Sequence, residues 1–127
     1  MTPPDPRPPR RPFAHDAVLV MGREEDDRAP GGAITVALCG SWSHDPPCPL
    51  APHHTAAART GNEVRLRILF AAAPDDERRV RDTIDITLRR GEGDTPDGSR
   101  TTWRLVSAAA SEVRPGEREH ATRLARS

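Results

Sequence analysis

The chain has 127 residues, and its 19 basic and 19 acidic side chains cancel at neutral pH. This length gives room for one domain with a modest core, and the balanced charge excludes a global field that would attract nucleic acid or an anionic membrane. All 19 basic side chains are arginine, which is typical of a GC-rich bacterial coding sequence and makes the use of arginine instead of lysine uninformative about function.

The cysteine content and the early apolar run bear on the cellular compartment. Cys39 and Cys48 are too few for a disulfide framework, and the run Ala17–Met21 is too short for a signal peptide or a membrane span. We therefore expect a cytoplasmic protein with no membrane partner.

The first 32 residues are predicted to be a disordered tail followed by a charged linker. Residues 1–12 contain six of the fourteen prolines and few apolar side chains, so they cannot bury enough surface to fold. Arg23–Arg28 is a run of charges, and a Pro-Gly-Gly breaker follows it. The ordered domain is therefore expected to cover residues 33–127, and the change of composition near Met21 leaves initiation at that methionine as an alternative.

The apolar residues then alternate in two runs, which predict the first two strands. The first run is Ile34–Trp42 and the second is Glu63–Ala71. In the second run Val64, Leu66, Ile68 and Phe70 share one face.

A helix, a third strand and a last helix are predicted to follow. Pro74 and three acidic residues begin the helix, and Arg89-Arg90-Gly91 ends it. Thr101–Ala109 alternates again and predicts a strand. Pro115 then begins a short helix that ends near Arg126.

These elements predict a small α+β fold in the chain order β-β-α-β-α. We expect a mixed three-stranded sheet with both helices on one face, because a helix that joins two strands of one sheet makes them parallel. Such a sheet has two open edges, and natural proteins usually cover or pair an open edge. We therefore predict a homodimer that forms through a sheet edge.

A polar loop between the first two predicted strands is the candidate functional site. It mixes imidazole and thiol groups, which suit a tetrahedral zinc ion, and its prolines make it stiff. The candidate ligands are His44, Cys48, His53 and His54, with Cys39 available as a further ligand. The loop therefore predicts a small accessory protein that holds a structural zinc ion.

Three alternatives to zinc stay open for this loop. Without a metal, it would be the recognition surface of a non-catalytic module that binds a protein partner. Cys48 could act as a nucleophile beside His44 or His53, which would make the protein an enzyme of unknown reaction, although no oxyanion-hole motif accompanies it. Cys39 and Cys48 could instead form a disulfide, which in a reducing cytoplasm would be a redox switch.

Three arginines are predicted to lie on the second face of the sheet. Arg65, Arg67 and Arg104 alternate with core residues and could converge on an anionic ligand. The chain has four aromatic side chains, and three of them are predicted to face the core, so none is left to form a stacking platform on that face. We therefore expect no nucleic-acid binding.

Overall fold

The computed structural model describes residues 9–39, 51–95 and 97–126 of the chain. Within these residues the protein is a mixed α+β structure with a four-stranded antiparallel sheet, a two-stranded sheet and three helices. The strands are β1 Arg11–Val20, β2 His53–Thr60, β3 Glu63–Ala72, β4 Glu92–Asp94, β5 Arg100–Thr102 and β6 Arg104–Ser111. The helices are α1 Ala29–Cys39, α2 Glu77–Arg90 and α3 Arg118–Ala125, and short 3₁₀ turns at Pro74–Asp76 and Pro115–Glu117 lead into α2 and α3.

The strand order of the main sheet is β2-β3-β1-β6, and every neighbouring pair is antiparallel. Helix α1 connects β1 to β2, and α2 lies between β3 and β6, so two βαβ units interleave. This is the split βαβ topology of the ferredoxin-like folds, with the β4–β5 hairpin inserted after α2 and with α3 added at the end.

The expectation of an α+β fold is confirmed, but the mixed three-stranded sheet is wrong. The helix between β3 and β6 does make these two strands run in the same direction, as predicted. They are not neighbours, however, because β1 lies between them and is antiparallel to both. The main sheet therefore has four strands and no parallel pair among the described residues.

Strand β1 lies within the segment that was predicted to be disordered, so that prediction is wrong for residues 11–20. The polar residues His15 and Asp16 interrupt the apolar alternation of this strand in the sequence. In the fold, His15 forms a hydrogen bond with Asp85, and Asp16 accepts one from Arg67. A chain that began at Met21 would lack one of the two central strands of the sheet. Residues 1–8 of the predicted tail lie outside the described residues.

Helix α1 replaces the strand that was predicted from Ile34. Positions four apart share a face both in a strand and in a helix, so the pair Ile34 and Leu38 fits either structure. The helix buries both of these side chains and leaves Val36, which lies between them, 42% exposed. Trp42, the last residue of the predicted strand, lies outside the described residues.

The predicted alternation in β3 and the predicted helix α2 are confirmed. Val64, Leu66, Ile68 and Phe70 are all buried on the face that α1 and α2 cover. Helix α2 ends at Gly91, whose φ of 74° is a left-handed conformation that suits glycine. An added Cβ at Gly91 would lie 2.6 Å from the carbonyl oxygen of Trp103, so glycine is also needed for space.

The third predicted strand is divided in two by Trp103. This side chain turns into the core, where its indole N–H donates to the carbonyl oxygen of Leu88 at 2.9 Å. The residues before it belong to the β4–β5 hairpin, and those after it form β6 at the edge of the main sheet.

The last helix lies on the opposite side of the sheet from α1 and α2, so the prediction that the helices share one face is wrong. Helix α3 contacts β1 and β3 and buries Ala121. Glu117, just before α3, binds Arg67, which points away from the face that carries Ile68. The sequence of α3 does not indicate which face of the sheet its apolar residues cover. None of the helices in the described part of the chain is long and apolar enough to cross a membrane.

Candidate functional site

Two of the predicted metal ligands meet where α1 ends and β2 begins. Cys39 is the last residue of α1, and His53 is the first residue of β2. The distance from Cys39 Sγ to His53 Nδ1 is 3.8 Å, and Cys39 is 6% exposed. The fold therefore brings together a thiol group and an imidazole that are separated by fourteen positions in the sequence.

The imidazole of His53 is held by contacts at both of its nitrogens. Nε2 lies 2.9 Å from the hydroxyl oxygen of Thr35, and Nδ1 lies 3.1 Å from the carbonyl oxygen of Ala51. A neutral imidazole has one N–H, so the simplest arrangement has Nδ1–H donating to Ala51 and the Thr35 hydroxyl donating to Nε2. This arrangement satisfies both nitrogens without a metal.

Thr35 also accommodates the other tautomer of His53. Its hydroxyl oxygen lies 3.1 Å from the carbonyl oxygen of Gly31, so the hydroxyl can donate to Gly31 and accept a hydrogen bond from Nε2–H. Nδ1 then carries a lone pair, loses its hydrogen bond to the Ala51 carbonyl oxygen and lies 3.8 Å from Cys39 Sγ. This is the tautomer that a metal ligand binding through Nδ1 requires.

Cys39 is disulfide-bonded, and the only other cysteine of the chain, Cys48, lies outside the described residues. A sulfur in a disulfide cannot act as a thiolate ligand, so metal binding at Cys39 requires the reduced protein. His44 lies outside the described residues as well, and with it the hypothesis of a Cys48 nucleophile beside His44.

His54 is directed to the opposite face of β2 from His53, as alternation along a strand requires. Its ring centroid lies 4.8 Å from that of His120 in α3. The two adjacent histidines therefore do not belong to one site. Across residues 9–39, 51–95 and 97–126, no group of three or more histidine, cysteine, aspartate or glutamate side chains could hold a metal ion.

The predicted arginine face exists, but its central member has a structural role. Arg65, Arg67 and Arg104 all lie on the sheet face opposite α1 and α2. Arg67 is 14% exposed and forms salt bridges with Asp16 at 2.9 Å and with Glu117 at 2.6 Å. Its hydrogen bonds with Glu117 raise the pKa of Arg67 and lower the pKa of Glu117 to about 2.

The other two members of this face differ in their partners. Arg65 pairs with Glu63 at 3.2 Å. The guanidinium of Arg104 binds no other side chain in the described part of the chain, and it lies at the free edge of β6. Two of the three arginines thus have carboxylate partners already, and a shared anionic ligand for all three stays a prediction.

A buried histidine network was missed in the sequence because His15 lies in the segment predicted to be disordered. His15 is 2% exposed, and its Nε2 lies 2.7 Å from a carboxylate oxygen of Asp85. Arg81 donates to His15 Nδ1 at 3.0 Å and pairs with Glu77 at 2.8 Å. The spacing of Glu77, Arg81 and Asp85, four residues apart on α2, was the sequence signal for a shared helix face.

This network joins α2 to β1. Both nitrogens of His15 have partners, since Arg81 donates to Nδ1 and Nε2–H donates to Asp85. No hydroxyl or thiol group of a described residue is hydrogen-bonded to the ring, so the network lacks the nucleophile of a catalytic triad.

A comparison of the chain with protein-family models, with curated proteins and with solved structures finds no match in any of the three. The ferredoxin-like topology alone implies no function, because such folds carry many unrelated sites. Function must therefore be argued from the side chains themselves.

Proposed function

We propose that the protein is a small accessory protein that, in its reduced form, holds a structural zinc ion where α1 meets β2. Cys39 and His53 are two of its ligands. His44 and Cys48, which lie outside the described residues, are the sequence candidates for the remaining positions. The observation that carries the proposal is the 3.8 Å separation of Cys39 Sγ and His53 Nδ1.

This separation fits a shared zinc ion. With Zn–S near 2.3 Å, Zn–N near 2.0 Å and tetrahedral angles, the sulfur and the nitrogen of two ligands lie about 3.5 Å apart. A shift of a few tenths of an ångström therefore brings the observed pair to ligand spacing. Thr35 supports the same role, because it can accept the Nε2–H of a histidine that binds metal through Nδ1.

A metal at this position would stabilise one edge of the sheet. Strand β2 pairs only with β3 among the described residues, and most of its side chains are exposed. A zinc ion bound to Cys39 and His53 would tie this strand directly to the end of α1. Structural zinc sites typically stabilise a fold in this way, because the free energy of metal binding adds to the free energy of folding.

Metal analysis of untagged protein purified under a phosphine reductant tests the proposal. We expect about one zinc per chain for the reduced wild type, as in other structural sites. His53→Ala and Cys39→Ser should lose the metal and melt at a lower temperature. His54→Ala is the matched control, since this neighbouring histidine faces the other way, and it should keep the metal.

Two outcomes would contradict the zinc proposal. One is a reduced wild-type protein that contains almost no transition metal even after incubation with excess zinc and removal of the unbound ion. The other is a His53→Ala protein with the same zinc content as the wild type.

A second candidate function is that of a non-catalytic interaction module that forms a homodimer through β2. The observation that favours it is the edge of this strand, where Ala56, Ala57 and Ala58 are exposed and no proline occurs. The one charged side chain of β2, Arg59, is engaged with the carbonyl oxygens of Gly22 and Glu25. In an antiparallel pair centred on Ala57, Ala56 of each copy opposes Ala58 of the other.

Light scattering at high protein concentration tests the homodimer. A dimer mass is expected for the wild type, and Ala56→Asp with Ala58→Asp should give a monomer, because the pairing would place like charges opposite one another. A monomer mass for the wild type at every concentration would contradict the homodimer and leave the zinc proposal untouched.

A further inference from the structure

A cleft of about 460 Å³ lies between the last turns of α2 and the edge strand β6. Arg89 and Arg90 of α2 line one side of it, and Arg104, Val106 and Ser107 of β6 line the other. Strand β6 pairs with β1 alone among the described residues, and a β-bulge at Val106 interrupts its register. Its other edge therefore offers main-chain groups to a further strand on either side of the bulge.

The three arginines that line this α2–β6 cleft have no carboxylate partner in the described part of the chain. Arg89, Arg90 and Arg104 are exposed, and their guanidinium groups make no hydrogen bond or ion pair within the described residues. Asp85 is the one carboxylate that lines the cleft, and it accepts a hydrogen bond from His15.

Several neighbouring arginines are paired, whereas the three that flank the β6 edge have no carboxylate partner among the described residues. On α2 itself Arg78 pairs with Asp82, and Arg81 pairs with Glu77. On the β4–β5 hairpin Arg100 pairs with Glu92 and with Asp94. With Arg89 and Arg90 on the helix-covered side and Arg104 on the other side, the β6 edge carries a local positive charge that the balanced chain as a whole lacks.

The arginines stand on both sides of the β6 edge. Arg104 is opposite Val20 in the register, on the face of the sheet that points away from α1 and α2. Arg89 and Arg90 belong to α2 and approach the same edge from the helix-covered face. Because successive side chains of a strand point to opposite faces, two consecutive acidic residues of an added strand would meet arginines on both faces.

We propose that the α2–β6 cleft binds an extended acidic segment of a partner protein, which adds to β6 as a further strand. The main-chain groups of β6 supply the pairing, as in other cases of strand addition, and the arginines select for acidic side chains. Val106, the bulge residue of β6, lines the cleft, is 52% exposed and offers an apolar contact. The partner is thus an extended peptide with adjacent aspartate and glutamate residues among β-branched ones.

Binding of a synthetic peptide by the full chain tests this inference. The probe is a fluorescent ten-residue peptide in which Asp-Glu pairs alternate with valine and threonine, and the matched control peptide carries Asn-Gln in their place. We expect the acidic peptide to bind at least tenfold more tightly than the neutral one. The preference should weaken with added salt, and the amides of β6 should become protected from hydrogen exchange.

Two double variants separate the cleft from general surface charge. Arg89→Gln with Arg104→Gln should reduce the affinity for the acidic peptide at least tenfold. Arg79→Gln with Arg114→Gln removes the same charge from exposed positions outside the cleft and should leave the affinity within about twofold, as screened surface charges do. Circular dichroism of both variants checks that the fold is retained.

Four results would overturn the inference. These are equal binding of the acidic and neutral peptides, equal losses in the two double variants, protection confined to strands other than β6, and competition by inorganic phosphate at the same concentration as the peptide. The last result would make the cleft a site for small anions. A dimer in light scattering that dissociates in Arg89→Gln with Arg104→Gln would instead assign the cleft to a second copy of the chain.

Discussion

The salt bridge between Arg67 and Glu117 holds α3 against the sheet, and its contribution to stability should depend on pH. Glu117 accepts hydrogen bonds from two guanidinium nitrogens of Arg67, at 2.6 and 3.0 Å. It also accepts one from the backbone N–H of Arg114 at 2.9 Å. The perturbation is Glu117→Gln, which keeps the shape of the side chain and removes its charge.

The size of the effect follows from the pKa of Glu117. The hydrogen bonds with Arg67 lower this pKa from its ordinary value of 4.5 to about 2. One pKa unit corresponds to about 1.4 kcal/mol, so the unscreened contribution would be about 3 kcal/mol. The Glu117 side chain is 22% exposed, and solvent screening reduces the expected contribution to about 1–2 kcal/mol.

The sign follows from the direction of the pKa shift. Because the pKa of the folded state is the lower one, the stabilisation is complete above pH 4.5 and is lost as the pH falls from 4.5 towards about 2. The wild type should therefore be about 1–2 kcal/mol more stable than Glu117→Gln at neutral pH. This difference should narrow as the pH falls through that range.

Urea unfolding at a series of pH values measures this difference. Glu119→Gln is the control, since Glu119 is 90% exposed and its salt bridge with Arg123 should contribute only a few tenths of a kcal/mol. A gap between wild type and Glu117→Gln that stays constant from neutral pH to pH 3 would refute the reasoning, because the charge of Glu117 would then not be the cause.

Two further predictions concern Gly91 and Thr55. Gly91→Ala should lower the free energy of unfolding by more than about 1 kcal/mol, because the left-handed φ and the carbonyl oxygen of Trp103 both oppose a side chain. Gly116→Ala, where nothing lies near the added Cβ, should change the free energy of unfolding by less than about 0.5 kcal/mol in the same urea titration. Thr55→Val should leave stability unchanged or raise it by up to about 1 kcal/mol, because the hydroxyl oxygen of Thr55 is buried with no hydrogen-bond partner. A melting temperature for Thr55→Val well below that of the wild type would contradict this account.

The sequence predicts well where local signals and burial agree. Helix α2 has acidic residues at its start, a glycine at its end and an amphipathic stripe between them, and the structure contains it. Strand β3 has a clean alternation because one face meets α1 and α2 and the other carries Arg65 and Arg67. In both elements the local pattern and the tertiary environment require the same side chains.

The sequence fails where tertiary partners replace local signals. Strand β1 is central, yet it carries His15, which is buried only because Asp85 and Arg81 satisfy it. No periodicity in residues 11–20 reveals partners that lie about seventy positions away. The same holds for the side of the sheet that α3 covers, since this choice depends on the long-range salt bridge of Arg67 with Glu117.

The candidate zinc site depends on helix α1, which the sequence pattern wrongly predicts as a strand. As part of the predicted strand from Ile34, Cys39 would alternate with Leu38 and point away from the core. In the helix α1 it is instead the last residue, and it is buried close to the point where β2 begins. The contact with His53 therefore follows from the split βαβ topology, which brings the end of α1 beside the first residue of the edge strand. The spacing of Cys39 and His53 in the sequence does not indicate this proximity.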